Sequence, residues 1–476
     1  MNINKTSSKY RFADLHCHPN LKTFGHSFSE VPKSIKNKSH IWHKKNPTTA
    51  TKMLNTITGL TKFSQADFTT MFKANVKIAF VSLYPFEKGF FINGPLNGPI
   101  SAQFANLVTS VGYNRIRHIQ KHVNYFEDLT HEYDFLKGSR QSLDIDGITK
   151  KWRFTNTLED LEDVLRSDNE IAVITTIEGA HILNSGLSKY GKDSNEVEIL
   201  DNVQKLKKWK NPPLFITFAH NFNNDLCGHA RSLDPLGPLV NQFDNLNKGF
   251  SALGKKVIRA LLSNDPKSIL IDIKHMSVKS RKEYYNILKQ EYSNNIPLIV
   301  SHGAVTGVDF KGDRNTGLGR GYFCNDDINF YDEELINISV TKGLFAIQLD
   351  GNRLAPKKIL KKSIFNFNDP KAHEYSSLII WRQLQHIAEV LDRSNQPAWG
   401  IASIGSDFDG TINPLKGIWT AEYMPLLADQ LLLLADNYLK GKNPLHLPEN
   451  KIITAEEIVE KFIFENALSF LRRNLD

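Results

Sequence analysis

Cysteine is nearly absent from this 476-residue chain: Cys17, Cys227 and Cys324 are the only three, an odd number with no CxxC spacing. That excludes a disulfide framework and leaves stability to a hydrophobic core, for which a 41% hydrophobic content is ample. Long apolar runs are missing as well. None approaches the about 18 residues of a membrane-spanning helix, and Met1-Asn2-Ile3-Asn4-Lys5 opens no secretory leader. The expectation is therefore a cytoplasmic protein with no membrane segment. Charge is only mildly unbalanced, at +8, and the lysines fall in short groups, Lys33 to Lys45, Lys205 to Lys210 and Lys357 to Lys362. Without aromatic residues interleaved among them, these groups read as solvated surface and no nucleic-acid partner is expected. Internal repeats and low-complexity tracts are absent too.

What the chain does contain is a series of short β-branched runs: Phe12 to His16, Val76 to Tyr84, Ile171 to Glu178, Leu214 to His220, Ile269 to His275, Pro297 to His302, Leu344 to Asp350 and Gly400 to Asp407. Ala172-Val173-Ile174 and Leu298-Ile299-Val300 are apolar throughout, as strands covered on both faces of a parallel sheet must be. Helical patterns alternate with them: Phe250, Leu253, Val257, Ile258, Leu261 and Leu262 share one face, Lys279 to Gln290 forms a short helix, and Leu378, Ile379, Leu384, Ile387, Ala388 and Leu391 repeat the pattern. Eight strand-helix alternations point to an α/β fold of the closed (β/α)8 TIM-barrel type, with an open doubly wound sheet as the competitor. Residues 1–476 are then one barrel domain with polar insertions at about 20–72 and 85–170, after strands 1 and 2, the second holding turn signals at Asn93-Gly94-Pro95 and Asn97-Gly98-Pro99. A last helix, Ala455 to Arg473, opens with Thr454 and Glu457 in capping-box spacing and seals the barrel.

The strand ends carry the chemistry. His16 and His18, two apart on a strand, project from the same face with Cys17 pointing away, which makes a divalent-metal pair. Glu178 ends the third run, His220 the fourth, His275 the fifth, His302 the sixth and Asp407 the eighth. A barrel brings these ends to one mouth, where five imidazoles and two carboxylates have little reason to gather without a metal to order them. His118 and His122, in HxxxH spacing beside Arg115, Arg117 and Lys121, lack further ligands and read as solvated surface. Cys17 reads as a small buried residue behind the ligand strand.

Asp14-Leu15-His16-Cys17-His18, Thr176-Ile177-Glu178-Gly179, His220-Asn221-Phe222-Asn223-Asn224, Gly249-Phe250-Ser251-Ala252-Leu253-Gly254, Asp272-Ile273-Lys274-His275-Met276-Ser277, Ser301-His302, Arg314-Asn315, Gly405-Ser406-Asp407-Phe408-Asp409-Gly410 and Glu465-Asn466-Ala467-Leu468 occur in an order that resembles the membrane (renal) dipeptidases, the M19 metallopeptidases of the amidohydrolase superfamily. The resemblance implies a barrel hydrolase that cleaves a dipeptide or similar small carboxylated amide with two divalent ions, Zn2+ first. It implies that His16 and His18 bind one ion, His275 and His302 the other, and Glu178 both. His220 would contact the substrate carbonyl, Asp407 would hold the attacking water, and Arg314 would grip the substrate carboxylate. A homodimer is implied by the same likeness. The departure is His18, where these dipeptidases carry Asp; a neutral ligand leaves the site one unit less negative, its ions more Lewis acidic. The alternatives are another amidohydrolase-type enzyme (a lactonase, deacylase or PHP-type phosphoesterase) and a non-catalytic barrel kept as a binding module.

Overall fold

The computed structural model describes residues 9–28, 40–92, 97–233, 240–364, 370–441 and 444–475. The lysines between Lys33 and Lys38 and the turn at Asn93-Gly94-Pro95 lie outside these residues. Among the described residues, one sheet contains β1 (Phe12–Cys17), β2 (Val76–Leu83), β3 (Ser142–Ile145), β4 (Ile148–Phe154), β5 (Glu170–Glu178), β6 (Phe215–Thr217), β7 (Leu270–Asp272), β8 (Ile299–Gly303), β9 (Leu344–Ile347) and β10 (Ala402–Ile404). Its order runs β2-β1-β10-β9-β8-β7-β6-β5-β4-β3, and parallel pairing of β2 with β5, from Ile78 opposite Ala172 to Leu83 opposite Ile177, closes eight strands into a barrel. All eight expected runs are barrel strands. β1 is buried at every position and so is β2, because the barrel interior fills one face and the surrounding helices cover the other.

Four runs are shorter than the sequence suggests. The ladder stops at Thr217, Asp272, Ile347 and Ile404, three residues before His220, His275, Asp350 and Asp407. His275 (φ 64°) and Asp407 (φ 58°) adopt left-handed backbone, which no extended strand can contain. The chain therefore turns sharply at the rim and aims these side chains inward, a strain of the kind that concentrates at working sites.

The insertions are built, not merely polar. Between β1 and β2 lie helices Leu21–Ser27, Thr49–Thr58 and Phe68–Ala74. Between β2 and β5 lie Pro99–Thr109, Tyr113–Lys121 and Tyr125–Lys137, the antiparallel β3–β4 hairpin and Leu158–Leu165. Leu21, Tyr84, Phe86, Val111, Ile116 and Ile119 form a small apolar core of their own over the barrel. Two charged groups expected at the surface are instead inside: Lys207 donates from Nζ to the Ser263 carbonyl at 2.7 Å, and Arg115 is buried against Asp128 at 2.6 Å, because each finds oxygen partners that replace water. The closing helix begins as expected, with Thr454 and Glu457 capping each other, but runs Ala455–Glu460, a π-turn at Lys461–Glu465, then Asn466–Asn474. Asn466 Nδ2 donates to the carbonyls of Trp399 (2.9 Å) and Ala402 (2.8 Å), pinning this helix to the start of β10. No helix among the described residues is long and apolar enough to cross a membrane.

Candidate metal centre

Two aspartates set the strand ends before any functional group is considered. Asp14 in β1 accepts the backbone N–H groups of His16 (3.3 Å) and Ser406 (2.8 Å) and the Ser406 hydroxyl (2.5 Å), tying the first strand to the last. Asp272 at the end of β7 does the same toward β8, accepting from Lys274 N (3.0 Å), Ser301 N (3.1 Å), Ser301 Oγ (2.6 Å) and Thr217 Oγ1 (2.5 Å). Both carboxylates are wholly buried and saturated with donors, so the residues two positions on, His16 and Lys274, have a fixed backbone.

On this frame the mouth collects Glu178 and four imidazoles. Glu178 Oε1 lies 3.3 Å from His16 Nε2, 3.5 Å from His302 Nε2 and 3.8 Å from His275 Nε2, and its Oε2 lies 3.4 Å from His18 Nε2. His16 Nε2 and His18 Nε2 are 3.1 Å apart, and His275 Nε2 and His302 Nε2 3.3 Å. Two groups of three result, His16-His18-Glu178 and Glu178-His275-His302, sharing Glu178.

The far sides of the rings say what the near sides hold. His18 Nδ1 donates to the Ser82 carbonyl at 3.0 Å, which leaves its lone pair on Nε2. The Ser301 hydroxyl spends its hydrogen on Asp272, so it accepts from His302 Nδ1 at 2.9 Å and again leaves Nε2 bare. Lone pairs this close to each other and to a carboxylate repel unless a cation lies among them. The donor set therefore fits divalent metal ions, and nitrogen with carboxylate oxygen is the set zinc accepts. Burial pushes His275 and His302 well below the ordinary histidine range, the neutral state that ligation requires. Burial alone would raise Glu178, but the His220 and His16 imidazoles hold it well below the carboxylate range.

His220 and Asp407 flank this group. His220 Nε2 is 3.4 Å from Glu178 Oε1 and its Nδ1 is 2.6 Å from Glu87 Oε2. Against the effect of burial, the Glu87 and Glu178 carboxylates raise His220 to about 10, and Glu87 falls to about 2. Asp407 Oδ1 is 3.6 Å from His18 Nε2 and lines the open cavity. Gly410 makes room for it, since a Cβ there would sit 2.1 Å from Asp407 Oδ1. Cys17 is buried, its thiol 3.4 Å from the Phe80 carbonyl and turned away from the ligand atoms.

Glu87 is the residue the sequence did not announce. It follows β2 by four positions, inside a segment read only as insertion, and also accepts the Tyr84 hydroxyl (3.0 Å) and the N–H groups of Asn221 (3.1 Å) and Phe222 (3.0 Å). The seventh strand end contributes as well: Gln348 and Asp350 line the cavity beside Lys274 and Arg353. Arg314 is not brought to the mouth. It is exposed, and its neighbour Asn315 is tied to Asp332 at 2.8 Å on the outer helix Asp332–Val340. The cavity over the cluster has a volume of about 360 Å³, suited to a small molecule. His118 stacks on His122 with centroids 3.9 Å apart; this pair does not line the cavity over the cluster and joins neither metal group.

A barrel mouth that turns bare imidazole nitrogens on a shared carboxylate is that of a metal-dependent hydrolase. The profile of the membrane dipeptidases, peptidase family M19, matches residues 146–441, and the chain belongs to that family. It is thus a metal-dependent dipeptidase by family, acting on a small molecule with divalent metal. The match takes in Glu178, His220, His275, His302 and Asp407; His16 and His18 precede it. Among solved structures, the chain is similar to a metallo peptidase from Rhodobacter sphaeroides liganded with a phosphinate mimic of the dipeptide L-Ala-D-Ala, at 14% identity over 98% of this chain and 99% of that one, TM-score 0.54. It is also similar to dipeptidase AC, a metallo peptidase of family M19, at 13% identity over 88% and 93%, TM-score 0.50. At such identities the likeness supports the fold. No curated protein matches the sequence.

Proposed function

We propose that the chain, acting as one barrel domain with its insertions over the mouth, hydrolyses the amide bond of a dipeptide or a similar small carboxylated amide. His16 and His18 would hold one divalent ion and His275 and His302 a second, with Glu178 shared by the two groups; zinc is the first candidate from the donor set. When bound, the pair supplies the Lewis acidity that polarises the scissile carbonyl and makes water nucleophilic at neutral pH. Asp407, which lines the cavity beside His18, takes the proton of the attacking water and returns it to the leaving amine. His220, held by Glu87 through Nδ1, donates from Nε2 to the oxyanion, a contribution worth about 3–4 kcal/mol in the transition state.

The observation that carries this reading is Glu178 standing between two imidazole pairs, each less than 3.5 Å across. Because the Rhodobacter metallo peptidase is liganded with a mimic of L-Ala-D-Ala, an L,D dipeptide is the first substrate to try. The test is the zinc-reconstituted enzyme against L,L and L,D dipeptides, before and after chelation. Turnover that needs metal supports the proposal. Silence on every dipeptide, with cleavage of p-nitrophenyl phosphate or a lactone, would reject the dipeptide substrate and keep the metal hydrolase.

A further inference from the structure

With Arg314 outside the cavity lining, the wall beside the metal cluster still holds donors that no described residue satisfies. Lys274 is 1% exposed, yet its Nζ makes no hydrogen bond and no ion pair with any described residue. Gln348 is 2% exposed, and its Nε2 is likewise without a partner. Both line the cavity, as does Arg353, whose guanidinium donates to the Ser232 carbonyl. A buried amino group left without any hydrogen-bond partner is among the costlier arrangements a core can contain. The backbone gives Lys274 no freedom to escape, since its N–H is held by Asp272 at 3.0 Å and the next residue is His275 at left-handed φ. The acids facing this wall are Asp350 and Asp407, and Nζ contacts neither.

We infer that Lys274, Gln348 and Arg353 form the subsite for the substrate's carboxylate, replacing Arg314 in that task. A planar carboxylate has four lone-pair directions and no hydrogens, so it suits a wall of donors, whereas an amide's NH2 would leave Lys274 opposed by another donor. Lys274 precedes the ligand His275, so this wall stands next to the site of cleavage and selects a carboxylate one residue from the scissile bond: a free dipeptide, not a longer or amidated one. The inference rests on the proposed hydrolysis for its substrate, but the subsite can be read by binding alone.

Zinc-loaded wild-type protein and the Lys274→Met, Gln348→Leu and Arg314→Ala variants are compared on an L-Ala-D-Ala panel, as free acid and as C-terminal amide. Binding of D-alanine and D-alaninamide is measured by calorimetry in parallel. Zinc content and melting temperature confirm that each variant is folded and loaded. The wild type should favour the acid by about 100-fold in kcat/KM, the loss expected when a buried charge partner is missing. Lys274→Met should collapse that preference through KM while Arg314→Ala keeps it, and Gln348→Leu should lower it partially. A preference that survives Lys274→Met, or that vanishes in Arg314→Ala, overturns the assignment, as does a wild type indifferent to acid and amide. If no dipeptide turns over while D-alanine still binds in a Lys274-dependent way, the subsite stands and the proposed reaction falls. Absence of such binding as well removes both.

Discussion

Glu87 Oε2 and His220 Nδ1 stand 2.6 Å apart, joining a residue from the segment after β2 to one from the turn after β6. The carboxylate keeps the ring charged, fixes its orientation and leaves Nε2–H as a donor to the cavity. Glu87→Gln should therefore lower kcat by about 10²–10³ while zinc content stays at the wild-type value. The pH profile separates this role from a structural one. His220 donates as imidazolium, so activity is lost as pH rises through its pKa, which the Glu87 carboxylate raises. Without the Glu87 charge that alkaline limb should move to lower pH. A limb that stays in place would remove Glu87 from the site's electrostatics.

Metal retention should depend on Glu178 and on the hydroxyl behind His302. Glu178→Gln keeps the volume and removes the charge, and elemental analysis should find at least one ion fewer per chain. Ser301→Ala deletes the acceptor that orients His302 and should weaken metal affinity by about 10–100-fold, read by competition with a chelator. Chelation of the wild-type protein should lower Tm, because bare nitrogens 3.1 and 3.3 Å apart are then left facing one another.

Gly410→Ala is a single-methyl test of Asp407. The new Cβ would fall 2.1 Å from Oδ1, and the carboxylate must swing away. We expect kcat to fall by at least about 10²-fold, the scale of a lost general base, with circular dichroism and zinc content unchanged.

A stability effect should appear far from the mouth. Burial, reinforced by Arg115 and His122, pushes His118 down to about 4, and its ring packs on Phe28 at 4.6 Å. In the unfolded chain it titrates near 6.5, so between those values the unfolded state binds the extra proton, and stability declines as pH falls from about 6.5 to about 4. His118→Gln should flatten that part of the curve in urea titrations.

The barrel was legible because its signal is redundant: buried parallel strands are apolar on both faces, and most of the runs ended at a residue type with chemistry to offer. The ligand cluster followed from one rule, convergence of C-terminal ends, which holds however the helices between them pack. Glu87 escaped because the second run ended at Tyr84 without a ligand-type residue, and its role depends on the path of a segment that no ladder constrains. Lys274 escaped for the opposite reason, lying within a run expected to be strand, where a lysine suggests solvent. Arg314, expected at the substrate carboxylate, does not line the cavity: it lies twelve positions past His302, beyond the reach of strand register, and its neighbour Asn315 is tied to Asp332. The β3–β4 hairpin was hidden by exposed, lysine-rich positions that left Trp152 as its one fully covered anchor.

The Asp14–Ser406 contact has a consequence for closure of the barrel. It couples the first barrel strand to the last, and His16 and His18 sit on one side of that seam with Asp407 on the other. Asp407 therefore meets His16 and His18 only where β10 pairs with β1 and closes the ring.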